Sequence, residues 1–289
     1  MTTLVCPAPA KLNLFLHVVG RRADGYHLLQ TLFRMIDYGD TLHLMLREDG
    51  RIVRQQPLAG VAEENDLCMR AAQLLQAETG CMLGVGIRLE KRLPMGAGLG
   101  GGSSDAASVL LGLNQLWVLG LSRARLQELA LKLGADVPVF VFGQTAFAEG
   151  IGEALQAVAL APAWYVVLTP ALSVSTAAIF AHPDLTRDSE IIRIADFSEA
   201  SQFAMRNDLQ AVVCRDYPEV ARHLAWLAQH GEARMSGSGA SVFAAFDTAA
   251  AAQRVLAQLP PDMRGFVAAG LDMHPLYGYA GDSEVAQSR

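Results

Sequence analysis

The chain has 289 residues, 52% of them hydrophobic and 18% charged, with 23 Lys and Arg against 29 Asp and Glu for a formal charge of -6. A chain of this length and apolarity buries a sizeable core and suits two ordinary domains, which excludes a disordered or fibrous protein. The weakly acidic balance excludes general binding to nucleic acid or anionic membrane, because both need a dense basic patch, and leaves small anions held at a local site.

In the first segment Lys11, Asn13, Phe15 and His17 alternate with Leu12, Leu14, Leu16 and Val18, the period of a strand with two faces. Lys11 and Asn13 therefore share a face about 7 Å apart. Asp24-Gly25 supplies a turn. Asn65 or Asp66 caps a helix carrying Leu67, Ala71, Leu74 and Leu75, which Gly80 ends. Val85, Ile87 and Leu89 alternate again as a strand. The segment LPMGAGLGGGSSDAA, residues 93–107, follows, and then Ala106, Val109, Leu110, Leu113 and Trp117 recur at helical spacing. A further helix is expected from Ser122 to Gly134, and the apolar run from Val137 to Phe147 reads as a buried strand. A domain boundary is expected near Pro162. Beyond it the pattern predicts a strand at 164–168, helices near 208–214 and 217–230, strands near 241–246 and 264–268, and a helix near 248–259. The polar tail after Tyr279 is expected to fray.

Cys6, Cys68, Cys81 and Cys214 show no CxxC or Cys/His spacing, so a reducing, cytoplasmic compartment is expected. No secretory signal pattern opens the sequence. The uncharged stretches 106–122 and 154–181 are broken by Gly112, Asn114 and Gln115 and by Pro162 and Pro170, and read as core, not as membrane spans.

Gly96, Gly98, Gly100, Gly101 and Gly102 fall within seven positions, between a patterned strand and a patterned helix. Such a backbone can take positive φ and turn successive N–H groups toward one point, a nest for phosphate. It also opens onto a helix N-terminus, whose unsatisfied N–H groups and dipole favour an anion, and Ser103 and Ser104 add hydroxyls. The competing reading is a linker, or a helix start that needs close packing only. Gly96, Gly98 and Gly101 fit GxGxxG, but apolar Leu116 to Leu121 stand where a dinucleotide site wants an acid. No Lys follows the glycines as in a Walker A loop, and protein-kinase HRD and DFG signatures are absent.

PMGAGLGGGSSDAA resembles the phosphate loop of the GHMP kinases, the galactokinase, homoserine kinase, mevalonate kinase and phosphomevalonate kinase superfamily. PAKLNLFL at 9–16 resembles that family's first motif and MSGSGASVFAAF at 235–246 its third. GRRADGYHLLQTLF at 20–33 and GADVPVF at 134–140 narrow the match to the branch whose acceptor is a cytidine diphosphate-linked polyol. The resemblance implies an α+β protein with the two-domain GHMP kinase fold: a β/α ATP-binding domain over 1–160 and a ferredoxin-like substrate domain over 161–289. It implies ATP-dependent phosphorylation of a hydroxyl, Mg2+ with the ATP, small-molecule substrates only, and a monomer or weak homodimer.

The resemblance further implies roles for single residues. Lys11 stabilises charge near the γ-phosphate, where an isolated strand-edge lysine would serve solubility, and Asp136 accepts the hydroxyl proton, where the alternative is turn or cap chemistry. Pro94, Met95, Gly96, Ala97, Gly98, Leu99, Gly100, Gly101, Gly102, Ser103 and Ser104 hold ATP, with Asn65, otherwise a helix cap, flanking the adenine. Tyr26 stacks on cytosine and His27 reads its edge, unless the pair only anchors a loop. Phe180, after Thr176, completes the stack or merely packs a short helix. Asn13 bonds the polyol, and Ser238 and Gly239 close the site near the substrate phosphates. No carboxylate cluster identifies metal ligands. The rival readings are another acceptor, such as homoserine or mevalonate, and a nucleotide-binding module without turnover; Tyr26-His27 argues against the first and Lys11 with Asp136 against the second.

Overall fold

The computed structural model describes residues 2–23, 25–193 and 206–281. Two long antiparallel strands, β1 (Thr3–Arg21) and β2 (His27–Arg47), form the spine. The turn between them closes with Gly25 donating to the Arg22 carbonyl at 3.0 Å, Gly25 at φ +92°; Asp24, the other half of the expected turn, lies outside the described residues. The edge strand β3 (Ile52–Arg54) pairs in parallel with β4 (Gly84–Glu90), which pairs with β2.

Helix α1 (Leu67–Thr79) starts at Asp66, whose side chain accepts from the Cys68 N–H at 2.9 Å, and stops at Gly80 in the left-handed conformation. Asp66, not Asn65, is therefore the cap. Helix α2 (Gly101–Leu116) is buried continuously from Ser104 to Asn114, in keeping with its nearly uninterrupted small and apolar sequence. Helix α3 (Arg123–Leu133) is capped by Ser122, as expected.

The run read as a strand from Val137 to Phe147 is instead helix α4 (Val137–Phe142), a left-handed Gly143, and then strand β5 (Ala146–Glu149). An unbroken apolar run carries no period that separates a buried helix from a buried strand; Pro138 in the first turn was the helical signal. β5 pairs with β2 and with β6 (Ala154–Ala157).

The second half contains β7 (Trp164–Leu168), helices α5 (Thr176–Ala181), α6 (Gln210–Asp216) and α7 (Pro218–Leu227), β8 (Ala233–Met235), β9 (Val242–Phe246), α8 (Ala249–Leu256) and β10 (Gly265–Leu271). The sheet runs β10-β7-β9-β8 with every pair antiparallel. Strands numbered within this half lie in the order 4-1-3-2, the ferredoxin-like arrangement. β10 also pairs with β2 through Gly270↔Ile36 and Leu271↔Met35, which joins the halves into one sheet.

One core packs α1 to α4 against the first sheet, and a second packs α6 to α8 against the ferredoxin-like sheet. After β10 the chain returns to the first core. Leu276 and Ala280 are buried there, the Asn114 amide donates to the Tyr279 carbonyl at 2.7 Å, and Arg123 stacks over the Tyr277 ring at 3.7 Å. Residues 282–289, most of the expected frayed tail, lie outside the described residues.

Candidate active site

Helix α2 begins where the glycine segment ends, and its first i to i−4 bond runs from the Ser104 N–H to the Gly100 carbonyl at 2.9 Å. The N–H groups of Gly101, Gly102 and Ser103 consequently have no acceptor within the helix. Gly96, Gly98 and Gly100 take φ of +66°, +74° and +71°. Gly101 and Gly102 are helical, so positive φ is a requirement at three of the five glycines and not at these two. Ala97 and Leu99 turn their side chains into the core between the halves and contribute backbone only.

The loop's carbonyls are held by its surroundings. Ala97 accepts from the Ser241 N–H at 3.0 Å, Gly98 from the Ser236 hydroxyl at 2.9 Å, and Leu99 from the Lys11 N–H at 3.0 Å. The first and third motifs thus fix the second, and what remains pointing into the cavity is the donor side of the loop.

Lys11 is 3% exposed, its stem running under Gly100, where an added Cβ would stand 3.0 Å from its Cγ and 2.9 Å from Phe140. Its ammonium donates to Asn13 Oδ1 at 2.5 Å and lies 3.4 Å from Asp136 Oδ2. Asn13 Nδ2 donates in turn to Thr31 Oγ1 at 2.9 Å. The Asn13 amide is thereby engaged at both ends, and it orients Lys11. Asp136 precedes α4 but its side chain makes no cap hydrogen bond, and the carboxylate is 38% exposed to the cleft. The cap alternative for Asp136 is not realised.

Lys11, Asn13, Asn65, Pro94 to Ser103, Asp136, Thr176, Phe180 and Ser238 line, with neighbours, a cavity of about 410 Å³, leaving out Ser104, which is buried behind it. A second cavity of about 700 Å³ is lined by Arg21, Tyr26, His27 and others. The two share Leu29, Ser103, Asp136, Ile151, Thr176 and Phe180, so they form one cleft with Asp136 at the junction. Tyr26 is 61% exposed, and the His27 and Phe180 rings lie 5.1 Å apart, tilted by 31°. Ser238 Oγ meets Thr176 Oγ1 at 2.7 Å across the cleft. Gly239 is buried beside Met235 and does not line it; Gly237 does.

Below the loop, Lys91 Nζ is shared by Asp40 Oδ2 at 2.6 Å and Asp105 Oδ2 at 2.7 Å. Burial pushes the Asp105 carboxyl up to about 7 against the pull of Lys91, and the two carboxylates outweigh burial to raise Lys91. Asp40 also accepts the N–H groups of Arg92 and Leu93 at 2.6 and 2.8 Å, which pins the entry to the loop. Lys91, Thr31, Ser236 and Gly237 were not singled out in the sequence. Ser236 and Gly237 stand inside the quoted third motif and Thr31 inside the quoted segment 20–33, while nothing in the local pattern marks Lys91.

The family models for the GHMP kinases N terminal domain and the GHMP kinases C terminal match residues 66–144 and 184–263. A curated 4-diphosphocytidyl-2-C-methyl-D-erythritol kinase from Thiobacillus denitrificans is 66% identical over 273 residues, 94% of this chain and 97% of that protein. One of the same description from Ralstonia nicotianae is 60% identical over 278 residues, 95% and 96% of the two chains. A crystal structure of 4-(cytidine 5'-diphospho)-2C-methyl-D-erythritol kinase superposes with a TM-score of 0.80 at 35% identity, covering 92% of this chain and 99% of that one. The Methanococcus jannaschii mevalonate kinase, at 14% identity and a TM-score of 0.68 over 93% and 99% of the chains, shares the fold.

Proposed function

The chain belongs to the 4-diphosphocytidyl-2-C-methyl-D-erythritol kinases of the GHMP kinase family, and from that premise we propose how its residues divide the work. The reaction is ATP-dependent phosphorylation of 4-diphosphocytidyl-2-C-methyl-D-erythritol, a step of the non-mevalonate route to isoprenoid precursors. The acceptor in our reading is the 2-hydroxyl.

The observation that carries the mechanism is Lys11 and Asp136, 3.4 Å apart where the glycine-loop cavity opens into the Tyr26 and His27 cavity. Asp136 takes the proton of the acceptor hydroxyl as its oxygen attacks the γ-phosphorus and ADP leaves. Lys11, aimed by Asn13, faces the charge on the transferring phosphoryl group. The free N–H groups opening α2 hold the donor's phosphates, so catalysis is positioning and electrostatics with one base. Asn65, Pro94 and Met95 stand at the adenine end, Tyr26, His27 and Phe180 receive the cytosine, and Thr176 and Ser238 border the substrate phosphates. Residues 1–160 hold ATP in this division and 161–289 complete the substrate side.

Mg2+ in this reading enters on ATP and offsets phosphate charge. Among the described residues no three His, Cys, Asp or Glu side chains gather as a metal site. Each carboxylate lining the first cavity already faces a cation, Asp66 with Arg54, Asp105 with Lys91 and Asp136 with Lys11. Ser103, which lines the cavity at the start of α2, carries the hydroxyl that fits the ion, whereas the Ser104 hydroxyl is buried behind the cavity.

Among the described residues no helix is long and apolar enough to cross a membrane. The proposed setting is the cytoplasm, as a monomer or weak homodimer. The test is ADP release from Mg-ATP with the cytidyl substrate, homoserine and mevalonate in parallel. Turnover with the cytidyl substrate alone is expected. Turnover only with another acceptor overturns the substrate, and ADP release with none overturns the reaction.

A further inference from the structure

Arg187 lies in a stretch without a recognisable motif, yet it makes four hydrogen bonds, two of them to His27 and Phe180 in the wall of the second cavity. Its Nε donates to His27 Nε2 at 3.1 Å. One terminal nitrogen donates to the Leu185 carbonyl at 3.0 Å, and the other to the carbonyls of Phe180 and His182 at 2.9 and 2.8 Å. The guanidinium stays charged at every working pH and has no acceptor, so His27 Nε2 must accept with its lone pair. A neutral imidazole whose Nε2 accepts carries its proton on Nδ1. Burial, Arg187 and Arg21 all lower the His27 pKa, which favours that neutral ring.

We propose that Arg187 is a positioning residue for base selection: by occupying Nε2 it fixes the Nδ1–H tautomer of His27, and the cleft then offers the base a hydrogen-bond donor. The proposal rests on the reading above that His27 faces the cytosine. At N3 cytosine presents an unprotonated acceptor that meets that donor, whereas O2 accepts in both pyrimidines and does not tell them apart. Uracil carries a hydrogen on N3, and two opposed donors leave one of them unsatisfied. Arg187 thereby favours a cytidine diphosphate-linked substrate over its uridine counterpart. The same guanidinium ties the Phe180 carbonyl, so one side chain sets both the ring beside the base and the polarity of its edge.

The experiment compares wild type, Arg187→Met and His27→Phe with the cytidyl substrate and its uridyl analogue, and reads the tautomer by nitrogen NMR of histidine-labelled protein. His27 is assigned from the signal missing in His27→Phe. Wild type is expected to show a protonated Nδ1 and a bare Nε2. Arg187→Met is expected to raise KM for the cytidyl substrate and cut the cytidyl-to-uridyl ratio of kcat/KM by about tenfold, one hydrogen bond's worth of discrimination, with KM for ATP unchanged. Looser anchoring of the 180–187 segment alone would weaken both substrates equally and leave the ratio intact, which would overturn the proposal. Should Arg187→Met not fold, the wild-type spectrum decides, and a proton on Nε2 overturns it. If His27→Phe leaves the cytidyl KM unchanged, the base-site reading itself fails; if it raises that KM while Arg187→Met keeps the ratio, only the role of Arg187 fails.

Discussion

Gly98 and Ser236, 138 residues apart, touch so closely that no side chain fits at the glycine: the Ser236 hydroxyl donates to the Gly98 carbonyl at 2.9 Å, and an added Cβ at Gly98 would stand 2.2 Å from the Ser236 carbonyl oxygen. The glycine loop and the turn before β9 are in this sense one construction, and Asn13 joins it by donating its N–H to the Ser236 hydroxyl at 3.1 Å.

Glycines in the loop should therefore differ sharply in tolerance. Gly98→Ala forces a backbone clash at positive φ and is expected to lower the melting temperature and ATP affinity together. At helical Gly102 a Cβ would sit 3.6 Å from Leu67 Cδ1, an ordinary contact. Gly102→Ala is expected to hold or raise the melting temperature, by up to about 1 kcal/mol of stability. Equal melting temperatures for the two variants would show that the close approach is not a constraint.

Asp136→Asn keeps the shape of a side chain that caps nothing. It is expected to melt with wild type, to bind ATP nearly as well, and to lose about 10² to 10⁴ in kcat, the range for a positioned base. Steady-state kinetics with a melting curve check this, and retention of more than about a tenth of wild-type kcat would make Asp136 structural.

Tyr26→Ala removes an aromatic that is 61% exposed, so stability should change little. Titration calorimetry is expected to show the cytidyl substrate weakened by about 1 to 3 kcal/mol, the worth of base stacking, with ATP unaffected. Loss of both ligands together, or of neither, would remove Tyr26 from the base site.

Asp105 gives stability a pH dependence of unusual sign. Its carboxyl titrates near about 7 when folded, against about 4 when unfolded. Between these values the folded state holds more protons, so this group's contribution falls as pH rises from about 4 to about 7 and is level above. Asp105→Asn removes that slope. The difference in melting temperature, variant minus wild type, is expected to grow more positive from pH 5 to pH 8, and a difference that is flat or falls would contradict it.

What could be read in advance followed from punctuation and period. Ser122, Asp66 and Gly80 mark helix ends by hydrogen bonding and φ, and the alternation around Lys11 needed one strand only. β2 was missed beyond its turn because both faces are covered: Gln30, Thr31 and Arg34 are each 1% exposed, and their polarity blurs the alternation. α4 was misread for the opposite reason, since its residues are uniformly apolar. The glycines were treated alike because composition does not say which of them carries positive φ. Arg187 left no trace, because its role depends on His27, 160 positions away in sequence.

The return of residues 274–281 onto the first core sets an order of events during synthesis. β10 must pair with Ile36 and Met35, and Leu276 and Ala280 must seat beside α2 and α3, before the first layer is complete. The residues that complete the packing around α2 therefore follow the whole ferredoxin-like half in the chain, so the first layer's core closes only once that half has been made.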